Sequence, residues 1–220
     1  YDTTMNTRRT IIAGTAIFIA LSVYVIHAAR IPKVPFERAM LSFRFDDAYR
    51  SQKEALNILD AYGMKASVYC ITGFVGTPGY LNWNEIREIS QKGHEIGAHS
   101  VTHNAIAMLL PSRVNKELQL SKQILLEKNI SAVSFSWPYG LRNPFGRFTM
   151  RQHYDNAVDY PFVFKFHLNA RDTDRYAIMC STPKNSSEFE TFLRIAIRKK
   201  MWLVVCFHRI GEHPGRFSID

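Results

Sequence analysis

Two hydrophobic rhythms alternate along this 220-residue chain: short apolar runs bounded by turn residues, and longer stretches with helical spacing. Leu41 to Phe45 is predicted as a strand, Ser51 to Tyr62 as an amphipathic helix ended by Gly63, and Ala66 to Ile71 as a second strand. A helix over Trp83 to Lys92 is predicted next, with Asn82 as N-cap, Glu85 three residues on and Gly93 as its stop. A short strand leads to Ala98, and a helix follows over Arg113 to Lys128. Val133 to Trp137 and Phe162 to Phe166 read as strands. Ser187 and Glu190 form a capping-box pair before a helix to about Lys199, and Trp202 to Phe207 is a final strand, apolar throughout. Strand and helix in turn, with strands apolar on both faces, predict an α/β fold around a mainly parallel sheet. The pattern admits both a closed or distorted barrel and an open doubly wound sheet.

One segment breaks the rhythm. Ile11 to Ala29 carries no charged side chain, and at ~1.5 Å per residue it nearly spans a hydrocarbon core of ~30 Å. Arg8 and Arg9 precede it. This predicts a transmembrane or signal-anchor helix over residues 11–29, with the remainder on the extracytoplasmic side. The rival is a signal peptide cleaved after Ala28, which would make the protein secreted. The run is long for a signal peptide, which favours the anchor. Arg30 to Pro35 (RIPKVP) opens a linker. The expected organisation is a tail over 1–10, the anchor over 11–29, a linker over 30–38 and one domain over 39–220. Either Met5 is the start or the sequence is a fragment, and the stop at Asp220 leaves a closing helix to be expected beyond it.

A hydrophobic content of 46% excludes disorder as the default. Lys and Arg number 28 against 19 Asp and Glu, a formal charge of +9. That excess forms a solvated basic surface or suits an anionic one. No basic run with interleaved aromatics occurs, so nucleic acid is not an expected partner. The three cysteines, Cys70, Cys180 and Cys206, are widely spaced and form no CxxC. They are expected as buried free thiols rather than a zinc ribbon or a disulfide framework.

Chemistry-bearing residues follow the predicted strands. Asp46 and Asp47 come after LSFRF, at the strand edge where parallel α/β proteins build their sites. Such a pair can divide labour between binding a cation and accepting a proton. His99 and His103 stand four apart in HSVTH, a spacing that a helical turn would bring onto one side. His94-Glu95 is followed by His99 at five rather than four, so HExxH is not matched. Two imidazoles and Asp47 would suit zinc, cobalt or ferrous iron. SWPYG (Ser136 to Gly140) offers a sharp turn whose N–H groups can face an oxyanion. CFHRIG places His208 at the end of the last strand, where an imidazole could donate a proton.

Together these motifs resemble the polysaccharide deacetylase family, the NodB-homology type of carbohydrate esterase, over roughly Ala39 to Asp220. SFRFDDAYRS is similar to its first motif, GHEIGAHSVTH to its second, WPYG to its third and VVCFHRIG to its last. The resemblance implies a distorted (β/α) barrel and a metal-dependent hydrolase acting on carbon–nitrogen bonds other than peptide bonds. Asp46 would be the base, and Asp47, His99 and His103 the ligands of one divalent ion, zinc first. The Tyr139 N–H would hold the oxyanion, Pro138, Tyr139 and Gly140 would meet substrate, and His208 would protonate the leaving amine. Two positions depart from the motifs. Arg44 stands where the first usually has threonine, and Ser136 where the third often has arginine. No acidic, Trp-containing fourth motif is evident; Asp172 and Asp174 fall near its place.

The expected activity is removal of N-acetyl groups from N-acetylglucosamine-containing polysaccharide. The alternatives are an O-acetyl esterase on the same fold and a silent membrane-anchored glycan-binding module. Retention of Asp46 and His208, neither needed as a ligand, favours an enzyme.

Overall fold

A computed structural model describes residues 33–141, 144–160, 165–211 and 218–219. The expected anchor over 11–29 lies outside the described residues, and among those described no helix is long and apolar enough to cross a membrane. From Pro35 onward the chain forms one compact unit.

The strands are β1 (Met40–Phe45), β2 (Ala66–Cys70), β3 (Glu95–Ala98), β4 (Ser134–Ser136), β5 (Asn156–Asp159), β6 (Ile178–Met179) and β7 (Trp202–Phe207). They make one parallel sheet in the order β6-β5-β4-β3-β2-β1-β7. The sheet nearly closes on itself. Ser181, just past β6, bridges Val205 of β7 in parallel: its N–H donates to Val204 O (2.7 Å) and its carbonyl accepts from Cys206 N (2.9 Å). Of the two architectures the apolar pattern admits, the structure is thus the distorted (β/α) barrel. A short parallel pair, β8 (Arg209–Ile210) with β9 (Ser218–Ile219), lies beyond β7.

The helices are α1 (Gln52–Ala61), α2 (Trp83–Gln91), α3 (Pro111–Glu127), α4 (Pro144–His153) and α5 (Ser186–Lys199). Asn82 caps α2 as expected, accepting from Asn84 N and Glu85 N while Glu85 reaches back to Asn82 N. The cap of α5 is corrected: Asn185, not Ser187, accepts from Glu188 N (2.9 Å). The predicted strand over 162–166 is not found where it is described, since Lys165 and Phe166 are irregular. Asn156–Asp159 and Ile178–Met179 supply the strands instead. Both are too short to leave a clear period-two signal.

Strands apolar on both faces were expected, and the barrel departs from this. Phe43, Phe45, Val68, Ile96 and Phe135 point outward into the main apolar core beneath the helices. The alternate positions point inward, and many are polar: Ser42, Arg44, Ser67, Glu95, Ser134 and Ser136. Glu95 accepts from Ser67 Oγ and from Ser134 Oγ (2.6 Å). Gly97 leaves room for Tyr69 to cross this interior, since a Cβ there would fall 2.4 Å from the ring. All three cysteines are buried and free, as expected.

Candidate active site

The carboxyl ends of β1, β3, β4 and β7 open into one cavity of about 320 Å³, lined by Asp46, Asp47, Tyr49, His99, His103, Trp137, Tyr139, Tyr160 and His208. Every residue expected to catalyse or to hold metal lies here. Pro138 and Gly140 do not line it; they shape the turn that presents Tyr139.

Asp46 continues the register of β1, donating its N–H to Phe207 O (2.9 Å). The chain then turns through two successive left-handed residues, Asp47 (φ 72°) and Ala48 (φ 61°). Such backbone strain persists only where the surroundings over-determine it. Here Ala48 is buried and its carbonyl accepts from Leu81 N (2.9 Å). Gln52, fully buried at the start of α1, donates to both Asp46 O and His208 O (2.6 Å each). It staples the ends of β1 and β7, and so Asp46 and His208, side by side.

The two aspartates sit in different surroundings. Asp46 is saturated with donors. Arg44 Nε donates to its Oδ1 (2.6 Å), Arg44 Nη2 to its Oδ2, and Ser136 Oγ to its Oδ2 (3.2 Å). Burial alone would raise its pKa, but the Arg44 guanidinium, with His99 beyond it, holds the carboxyl well below the usual carboxylate range. Asp47 Oδ1 is buried and receives no hydrogen bond.

Facing that oxygen are His99 Nε2 at 3.4 Å and His103 Nε2 at 3.3 Å, themselves 3.2 Å apart. His99 donates its Nδ1–H to Ser136 O (2.8 Å), which leaves the Nε2 lone pair aimed at the same point. Three lone-pair donors converging on one point repel one another unless a cation sits between them. Ligands ~2.0–2.1 Å from zinc at tetrahedral angles stand ~3.3–3.4 Å apart, and the triangle has that size. Burial lowers the His99 pKa, but Asp46 and Asp47 outweigh it and the net shift is upward. Burial and the neighbouring His99 push His103 down to about 4. The donor set of the trio, two imidazoles and a carboxylate, fits zinc.

The histidines converge without a helix, contrary to the expectation drawn from their spacing. Residues 99–103 form a loop with Ser100 (φ 64°) and His103 (φ 57°) left-handed. Glu117 of α3 ties the loop down: its Oε2 accepts from Val101 N (2.8 Å) and Thr102 N (3.0 Å), and its Oε1 from Thr102 Oγ1 (2.8 Å). Ser100 Oγ accepts from His103 N (3.0 Å).

A second triad, Asp46, Cys206 and His208, has its donor atoms within 4.8 Å of one another. It suits a metal less well. Asp46 is committed to Arg44, and burial keeps the Cys206 thiol protonated far above its usual range. Burial also lowers the His208 pKa, against the pull of Asp46 and Asp47.

The WPYG turn runs through left-handed Tyr139 (φ 58°) and Gly140 (φ 65°). Gly140 N donates to Trp137 O (3.0 Å) and Leu141 N to Pro138 O (3.2 Å), which commits those donors within the turn. A Cβ at Gly140 would fall 1.8 Å from Tyr160 O, so only glycine fits there. The Tyr139 ring is half exposed and packs 4.6 Å from the His103 ring.

The sequence family described as polysaccharide deacetylase matches residues 33–154, just over half of the chain. This chain belongs to that family. Among named proteins, the polysaccharide deacetylase YxkH of Bacillus subtilis is 31% identical over 93 residues, covering 42% of this chain and 33% of that protein. A gellan lyase from a Bacillus species is 29% identical over 102 residues, 45% of this chain and 4% of that protein. The chain thus spans about a third or less of the curated relatives it matches. The deacetylase PplD of Streptococcus pyogenes, solved with acetate, superposes with TM-score 0.60 at 22% identity over 71% of this chain and 69% of that one. A de-N-acetylase from Aggregatibacter actinomycetemcomitans gives 0.59 at 17% identity over 69% and 74%. At such identities the likeness is one of fold.

In the sequence, Arg44 and Ser136 stand out only as departures from the motifs, and Gln52 and Glu117 do not stand out at all. A charged residue at an inward strand position was the signal for Arg44. Gln52 and Glu117 left none, because most of their partners are main-chain atoms, which leave no pattern of residue types. His94 is structural: its Nδ1 accepts from Ala66 N (3.1 Å) and its Nε2 meets Asp60 Oδ1 (3.1 Å). Asp174 pairs with Arg147 and with Arg151 (3.1 Å) on the surface, away from the cavity.

Proposed function

We propose that the chain is a metal-dependent hydrolase that removes N-acetyl groups from N-acetylglucosamine-containing polysaccharide. The observation that carries this reading is the Asp47–His99–His103 triangle beside an ionised, arginine-held Asp46, with His208 lining the same cavity. Asp47, His99 and His103 hold one divalent cation, which supplies Lewis acidity toward the acetyl oxygen and toward water. Asp46 accepts the proton of the attacking water. The Tyr139 N–H faces the developing oxyanion. His208 donates a proton to the departing nitrogen, without which an amide anion would have to leave. The aromatic walls formed by Tyr49, Tyr139 and Tyr160 suit the apolar faces of sugar rings.

The decisive experiment is acetate release by purified protein from chitin oligomers, peptidoglycan, poly-N-acetylglucosamine and acetylated xylan. Release from an N-acetyl substrate, abolished by chelator and restored by zinc, is the expected result. Exclusive turnover of acetylated xylan would make the protein an O-acetyl esterase, and no release at full metal loading would leave a binding module. The charge order of Arg8, Arg9 and the uncharged run over 11–29 supports an extracytoplasmic catalytic domain. Reporters fused after Pro35 are expected to be active on the export side only.

A further inference from the structure

The two departures from the family motifs meet at one carboxylate. Arg44 on β1 and Ser136 on β4 are 92 residues apart in sequence, yet Arg44 Nη2 donates to Ser136 Oγ and both side chains donate to Asp46. Arg44 is 1% exposed and Ser136 is fully buried. By the resemblance to the family motifs, threonine is usual at position 44 and arginine frequent at position 136, whereas this chain carries its arginine on β1 and a serine on β4. We infer that these are a single reciprocal exchange: Arg44 is the positioning residue for the base Asp46, delivering from β1 the guanidinium that the third motif lacks, with Ser136 as its small hydroxyl counterpart. The inference rests on the reading of Asp46 as the base of a deacetylase.

The barrel interior is fitted to this arrangement. Residues 44 and 46 share one face of β1, so a long side chain at 44 folds along the barrel axis onto its own strand neighbour. Its two donors grip both oxygens of the carboxylate, which fixes the plane of the base as well as its charge. A lysine would supply one point charge and leave that plane free. Tyr69 lies beneath the guanidinium, with the Arg44 Cζ 5.2 Å from the ring centroid, and Gly97 makes room for Tyr69. Below lies a cavity of about 420 Å³ that Arg44, Tyr69 and Glu95 help to line. Arg44 Nη1 is buried and makes no hydrogen bond to protein.

The test is an exchange experiment on the full chain: the parent, Arg44→Thr, Arg44→Lys, and Arg44→Thr combined with Ser136→Arg. Zinc content, urea midpoint, and kcat and KM for acetate release from a chitin oligomer are measured on each. Arg44→Thr is expected to lower kcat by at least ~100-fold, with KM and zinc content within ~2-fold of the parent. Arg44→Lys recovers only part of that loss. The combined exchange returns kcat to within ~10-fold of the parent and restores the urea midpoint lost in Arg44→Thr. Parental kcat in Arg44→Thr would overturn the inference. So would a folded, zinc-loaded double variant as slow as the single one. An inactive parent would instead sink the proposed function. The exchange is then judged on the urea midpoint alone, and failure of Ser136→Arg to restore it rejects the exchange independently.

Discussion

His99 donates its Nδ1–H to the main-chain carbonyl of Ser136 at 2.8 Å. This one bond selects the tautomer of a ring 37 residues away and turns its Nε2 toward Asp47 Oδ1 and His103 Nε2. The carbonyl belongs to the last residue of β4, so the pairing of β3 with β4 also sets the orientation of the His99 ring. The metal site is therefore expected to depend on all three side chains. His103→Ala should lose most of its zinc by elemental analysis while keeping its circular dichroism. Full stoichiometry in that folded variant would place the ion elsewhere.

Asp46 and His208 should be needed for turnover and not for metal. Asp46 is occupied by Arg44 and Ser136 rather than by the ligand trio, and His208 lies outside that trio. Asp46→Asn and His208→Ala should each cost at least ~100-fold in kcat, the usual scale for a positioned base or acid. Zinc content should match the parent. Parental rates in both variants would reject the acid–base assignment while leaving the fold untouched.

Glu117 holds the loop that carries both histidines through three hydrogen bonds, two of them to main-chain N–H groups. It touches no ligand atom. Glu117→Ala should weaken zinc binding by ~10–100-fold, as removing outer supports of a metal site commonly does. Competition against a chromogenic chelator reads the change directly. An unaltered affinity would show that the left-handed loop keeps its shape without this anchor.

His94 gives the protein a pH-dependent part of its stability. Burial lowers its pKa below the ordinary 6.5, against the opposing pull of Asp60. Its Nδ1 must stay unprotonated to accept from Ala66 N at the start of β2. The unfolded chain therefore takes up this proton more readily than the folded one. The contribution is complete above pH 6.5 and is lost as pH falls below it toward the folded value. Urea midpoints at pH 7.5 and 5.5 should fall further for the parent than for His94→Gln. Equal falls would assign the effect to other groups.

Much of this protein is legible along its length. Alternation of apolar strands and amphipathic helices sets the α/β class. Paired acids, paired histidines and a lone histidine, each directly after a strand, mark the site, because parallel strands deliver their carboxyl ends to one rim. Such signals are local: they need only the period of one element and the residue that follows it. What decides how the site works is not local. Whether β6 meets β7 rests on the Ser181–Val205 bridge between strands at opposite edges of the sheet. The four-residue spacing of His99 and His103 reads as a helical turn, and only the packing of α3, with Glu117, turns it into a left-handed loop. Arg44 reads as an anomaly in its motif and Ser136 as a loss in another. They become one arrangement only when closure brings β1 and β4 around the same carboxylate. Hydrogen bonds between distant side chains and main chain leave no periodicity in a sequence, so the orientation of His99, the anchoring of its loop and the placement of Asp46 are decided by tertiary structure.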